Sequence, residues 1–137
     1  MQPQIHLIDE TWIGAGPERT SAALADSGMW PSWWPTLQLT VTRDRGLKGI
    51  QWAARSRAGV HRALAGTVEV WLEPMHDGVL LHHFVRLDPV DGRPLGRRRQ
   101  ARLLREFGWQ GKQAFWSLKD GLEARDTEAR SRPPAGR

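Results

Sequence analysis

GTVEVWLE (residues 66–73), HDG (76–78) and VLLHHFVRL (79–87) together spell a β-hairpin. Val68, Val70 and Leu72 alternate with Thr67, Glu69, Trp71 and Glu73, the period of two that lays one strand face on a core. Val79, Leu81, His83, Val85 and Leu87 make the more apolar face of the return strand. His76-Asp77-Gly78 supplies the turn, with Asp-Gly its strongest signal.

The same alternation recurs upstream. Leu37, Leu39 and Val41 alternate with Gln38, Thr40 and Thr42, and after a loop at 44–49 the strand returns through Ile50, Trp52 and Ala54. Residues 55–62 fit either a loop or more strand. At the front, IHLIDETWI (5–13) reads as a strand with Ile5, Leu7 and Ile13 on one face and His6, Ile8 and Trp12 on the other. Gly14-Ala15-Gly16-Pro17-Glu18 then turns into a helix: proline suits the first helical position, and Glu18 favours the positive helix end. That helix is expected to stop near Gly28. Two prolines bracket Met29 to Pro35, which leaves room for a short helical turn only.

Downstream the period changes. Leu104, Phe107, Gly111, Phe115, Leu118 and Leu122 step by three or four, an apolar stripe along one long helix. The domain is expected to span 1–124, with a polar, disordered basic tail over 125–137 that includes Pro133-Pro134. Strands grouped apart from helices mean α+β. Each strand has one apolar face, and the long helix alone can cover them. The expected fold is a curved antiparallel sheet of about five to seven strands wrapped around the C-terminal helix, with two short helices after the first strand.

Composition narrows the function. The chain has 137 residues, eight tryptophans, three phenylalanines, no tyrosine and no cysteine. Disulfides, thiolate metal sites and cysteine nucleophiles are therefore excluded. No apolar run approaches the roughly 20 residues that cross a bilayer. Met-Gln-Pro-Gln shows no export signal, so a cytoplasmic protein is expected. Net charge is +5 with a pI near 10.9, carried by arginine far more than lysine.

Ile13-Gly14-Ala15-Gly16-Pro17-Glu18, Leu24-Ala25-Asp26, Trp30-Pro31-Ser32-Trp33-Trp34-Pro35 and Gly66 to Pro74 with Asp77-Gly78-Val79 carry a resemblance. Over residues 4–124 the chain resembles the START-like, helix-grip superfamily of polyketide cyclases, dehydrases and lipid-transport proteins, its small actinobacterial members especially. The resemblance implies a ligand cavity between sheet and C-terminal helix, with part of its wall at Trp30, Trp33 and Trp34. About five or six strands stand here where the family commonly has seven, which implies a smaller or more open cavity.

Several motifs bear on chemistry. Gly14-Ala15-Gly16 has the setting of a dinucleotide fingerprint, but the third glycine position holds Arg19 and no parallel βαβ unit follows. His82 and His83 point to opposite strand faces and cannot chelate one metal, so neither metal nor cofactor is expected. Glu69 and Glu73 lie roughly 13 Å apart on a strand, too wide for a glycosidase pair; both are expected on a solvated outer face. Asp9 is placed at the sheet rim or in the cavity. Trp71 falls on the outer face or an edge, and Trp109 and Trp116 stand one heptad apart beside Phe115.

His83 shares the apolar face and is the one acid/base candidate, its ordinary pKa lying near neutrality. The expected ligand-binding residues are Leu39, Trp52, Val70, Leu81, His83, Phe107, Gly111 and Phe115, with Trp33 and Trp34. Gly111 leaves space in mid-stripe, filled either by a close approach of the sheet or by a ligand. The leading expectation is binding of a small hydrophobic ligand, lipid or polyketide-like. One alternative is a cyclase or dehydratase using His83. Another is an interaction protein using Arg97, Arg98, Arg99, Arg102 and Arg105, which otherwise form a solvated face. No nucleic-acid module is present, so no nucleic acid is expected, whereas that cluster leaves transient contact with an anionic surface open. Oligomeric state is not set by these patterns.

Overall fold

The computed structural model describes residues 2–131, with side chains described through Arg125. Its elements run β1 (Ile5–Ile13), α1 (Pro17–Leu24), a 3-10 turn (Ser27–Met29), α2 (Trp30–Trp33), β2 (Leu37–Asp44), a second 3-10 turn (Gly46–Lys48), β3 (Gly49–Ser56), β4 (Leu64–Met75), β5 (Gly78–Pro89) and α3 (Arg97–Ser131). The five strands form one antiparallel sheet in the order β1-β5-β4-β3-β2. The first strand therefore pairs with the last, and α3 lies across the concave side. The helix continues past the expected end at 124, and residues 132–137 of the expected tail lie outside those described.

Alternation places the core as the sequence implies. Ile5, Ile13, Leu37, Ile50, Trp52, Val68, Val70, Leu72, Val79, Leu81, Val85 and Leu87 are buried on one sheet face. Phe107, Ala114, Phe115 and Leu122 of α3 close over them, with Leu104 and Leu118 half-buried at the margins. The helix is tied to β1 at both ends. Gln100 donates to the Gln4 carbonyl at 2.7 Å, and the Glu123 carboxylate accepts from the Gly14 N–H at 2.8 Å.

Two local readings are corrected, and one left open is decided. The helix α1 ends at Leu24, not near Gly28, because the Asp26 carboxylate accepts from the Gly28 N–H and starts the 3-10 turn instead. In the β4–β5 hairpin the left-handed residue is His76, with φ of 55°, while Gly78 already pairs with Met75. Gly78 is required for a different reason: a Cβ there would stand 2.0 Å from the Ile13 carbonyl oxygen. Residues 57–63 form a loop, held by Arg62, which grips the Asp91 carboxylate through Nε at 3.2 Å and Nη2 at 2.9 Å.

The outer sheet face also departs from expectation at one carboxylate. Glu69 is buried, not solvated, and forms an ion pair with Arg45. The Arg45 guanidinium lies 4.2 Å over the half-exposed Trp71 ring, so the aromatic ring shields the pair from water. Glu73 is exposed as expected and accepts from His82 at 2.9 Å.

Candidate functional site

The centre of the grip is aromatic and filled. Trp34 lies 5.6 Å from Trp52, 5.8 Å from Phe115 and 5.5 Å from the His83 ring, centroid to centroid. Trp33 closes the group at 6.0 Å from Phe115, and Trp30 meets Trp52 edge to face at 5.5 Å. The bracketing prolines explain this arrangement. They limit α2 to one turn, which drops Trp33 and Trp34 inward while Trp30 donates its indole N–H to the Leu24 carbonyl.

His83 is the polar member of that cluster. It is 3% exposed, stands 4.8 Å from Phe115, and makes no hydrogen bond among the described residues; its Nε2 is buried without a partner. Burial strips water from the imidazole and pushes its pKa from 6.5 down to about 4, with Asp9 pulling it up and Lys112 pulling it down. The ring is neutral at physiological pH. Gly111 of α3 accounts for its seat: a Cβ at that position would meet His83 Cε1 at 2.9 Å and Nδ1 at 3.2 Å. The room in mid-stripe is taken by the imidazole itself.

From His83 a cleft of about 370 Å³ opens between β1 and α3. Leu7, Ile8, Leu104 and Trp109 supply apolar walls, and Gly108 leaves the helix side bare, with no atom within 4 Å of where its Cβ would be. Asp9 faces His83 across the β1–β5 pair and joins Lys112 in a 2.8 Å ion pair, with Arg105 nearby on the lining. An apolar trough bordered by one ion pair and a spare guanidinium suits an amphipathic molecule with a single acidic or carbonyl head.

A larger groove of about 460 Å³ runs between α1, α2 and the far half of α3, with Trp33 and Leu118 in its lining, but no strand residue reaches it. A smaller hollow of about 180 Å³, touching Phe107, lies near the start of α3. Among the expected binding residues, His83 thus lines the cleft, Trp33 the groove and Phe107 the hollow. Trp34, Trp52, Val70, Leu81, Gly111 and Phe115 are buried in the packing behind them, and Leu39 is half-buried on β2. Sequence reasoning missed Leu7, Leu104, Gly108 and Lys112 and left Asp9 undecided. The signal available was Asp9 in register with Leu7, but its partner on α3 depends on how the helix crosses the sheet.

No protein-family model matches the chain, and no curated protein matches it. Solved structures do. The protein MLL2253 from Mesorhizobium loti superposes with a TM-score of 0.61 at 18% identity, covering 88% of this chain and 97% of that one. CalU16 from Micromonospora echinospora gives 0.55 at 12% identity, over 88% of this chain and 79% of its own. The di-domain ARO/CYC StfQ from the steffimycin biosynthetic pathway gives 0.51 at 12% identity, over 90% of this chain and 52% of its own. At these identities the likeness is one of fold: the chain has the helix-grip architecture that its sequence resemblance implied.

Proposed function

We propose that this protein binds a small amphipathic ligand, lipid or polyketide-like, in the cleft between β1 and α3. The carrying observation is the junction of apolar walls with the Asp9–Lys112 pair, ending at a buried, neutral His83 whose Nε2 has no partner. Its volume falls within the roughly 300–1,000 Å³ of small-molecule sites. The acidic or carbonyl head sits at Lys112 and Arg105, and the apolar body lies along Leu7, Leu104 and Trp109. The filled aromatic centre makes Trp34 and Phe115 the wall behind His83 and limits how deep a ligand reaches.

The enzyme reading, with His83 as acid/base, is the weaker one. An imidazole held near pKa 4 is a poor base at neutral pH, and its buried Nε2 has no hydrogen-bond partner among the described residues.

Tryptophan fluorescence titrated with fatty acids, sterols and aromatic polyketides tests the binding reading, because Trp109 lines the cleft. Gly108→Phe fills the trough from an open position and should abolish the shift without lowering thermal stability. Lys112→Met should weaken acidic ligands selectively. A panel that produces no shift, or a shift untouched by Gly108→Phe, overturns the reading.

A further inference from the structure

The outer side of α3 carries a pattern that core packing does not explain. Arg98, Arg102, Arg105, Trp109, Lys112 and Trp116 step by four, three, four, three and four residues, which keeps all six on one side of the helix. That side faces away from the core. The three arginines are exposed, as are Trp109 at 56% and Trp116 at 46%. The two indoles meet edge to face at 6.2 Å, and the Lys112 ammonium stands 5.8 Å from the Trp116 ring. The neighbouring edge strand widens the surface with Ile8, 61% exposed, and with Trp12, whose ring lies 5.0 Å from the Lys119 ammonium.

Folding gains little from this arrangement. Exposed indoles keep their apolar area in water, and arginines near the start of a helix oppose its dipole. Among the described residues the stripe forms two ion pairs, Arg102 with Glu106 at 4.0 Å and Lys112 with Asp9 at 2.8 Å, while Arg98 and Arg105 form none.

Indole rings favour the headgroup level of a bilayer, where the ring is apolar and its N–H stays wet. Arginine and lysine are drawn to anionic lipid, and a helix face that carries both lies in the plane of the interface. No described helix is long and apolar enough to cross a membrane. We infer that the outer face of α3, together with Ile8 and Trp12 of β1, docks on the surface of an anionic phospholipid bilayer. Arg98, Arg102 and Arg105 meet the headgroups, and Trp109, Trp116 and Ile8 settle at the acyl boundary. Single-stranded nucleic acid fits less well. Base stacking needs open ring faces in succession, whereas these two indoles cover one another and Ile8 offers nothing to a base.

Arg105, Trp109 and Lys112 also border the cleft, whereas Arg98, Arg102 and Trp116 do not, so vesicle binding is measured without added ligand and is expected whether or not the cleft takes one. Cosedimentation of the full chain with vesicles tests it, comparing phosphatidylcholine alone with phosphatidylcholine containing phosphatidylserine. Binding is expected on the anionic vesicles only and should weaken as salt is raised. Loss of one basic residue is expected to cost about fivefold in partitioning, so R98Q/R102Q/R105Q should lose about a hundredfold. W109A/W116A should lose roughly tenfold through the apolar contact alone. All five positions are exposed, and unchanged thermal melts establish that the variants are folded. Absence of binding to anionic vesicles overturns the inference, as does binding that both variants leave unaltered. Retention of a single-stranded oligonucleotide through the same arginines, with no vesicle binding, overturns it in favour of nucleic acid.

Discussion

Gly111→Ala is the substitution whose sign the structure decides most sharply. In an ordinary helix interior, alanine for glycine gains about 1 kcal/mol. At Gly111 the new methyl would stand 2.9 Å from His83 Cε1 and 3.2 Å from Nδ1, against a carbon–carbon contact of about 3.5–4.0 Å. The imidazole must retreat by about half an ångström or more. Phe115, 4.8 Å away, and Trp34, 5.5 Å away between ring centres, block its retreat into the core and leave only the cleft side open. Overpacking of this kind costs about 1–3 kcal/mol, which cancels the helix gain or exceeds it. Gly108→Ala is the matched control, three residues earlier on the same helix with nothing within 4 Å of its Cβ. The two variants should differ by about 1–3 kcal/mol in urea denaturation. Gly108→Ala should raise the melting temperature by about 3–5 °C, since that is the size of shift one kcal/mol produces in a domain of this length. Gly111→Ala should leave it flat or lower it. In a His83→Ala background the obstacle is gone, so Gly111→Ala should recover most of the helix gain, a coupling visible in a double-mutant cycle. If Gly111→Ala stabilises the wild-type chain as much as Gly108→Ala does, the packing of His83 against the helix is wrong.

Three further outcomes follow from the same structure. Because burial lowers the His83 pKa from 6.5 to about 4, the unfolded chain takes up that proton first as pH falls. Stability should therefore be full above about pH 6.5 and decline towards pH 4, by on the order of 3 kcal/mol; His83→Gln should flatten that part of the profile in denaturant titrations. Arg45→Ala leaves the Glu69 carboxylate buried beside Trp71 without its partner and should cost about 3 kcal/mol, whereas Arg45→Ala with Glu69→Gln should recover part of the loss. Gly78→Ala drives a methyl into the Ile13 carbonyl, a backbone obstacle that cannot rotate aside, and should lower the melting temperature by about 10 °C or more.

The enclosing fold was legible because its signals are local and periodic. Alternation along Val68, Val70 and Leu72 and along Leu81, His83 and Val85 names the buried face of each strand without knowledge of any neighbour. The stripe Leu104–Phe107–Gly111–Phe115 does the same for the helix. His83 was legible as the inward polar residue for the same reason. Local signals misled where a side chain outcompeted a propensity: Asp26 ended α1 early, and Gly78 answers to the Ile13 carbonyl and not to the turn.

What occupies the interior was decided at another level. Sequence pattern places Trp52, Phe115 and His83 on inward faces and the family resemblance puts Trp34 at the cavity wall, but neither says whether they meet or leave a space. That depends on the short α2 dropping two indoles into the gap between sheet and helix, and on the angle at which α3 crosses β1. The crossing brings Lys112 to Asp9 and leaves the trough beside Gly108, through contacts about a hundred residues apart in the chain. It also turns Trp109 and Trp116 outward, since the side of α3 that the sheet does not cover is known only once the sheet is in place. Periodicity reports which face of an element is apolar; packing reports what that face finds opposite it.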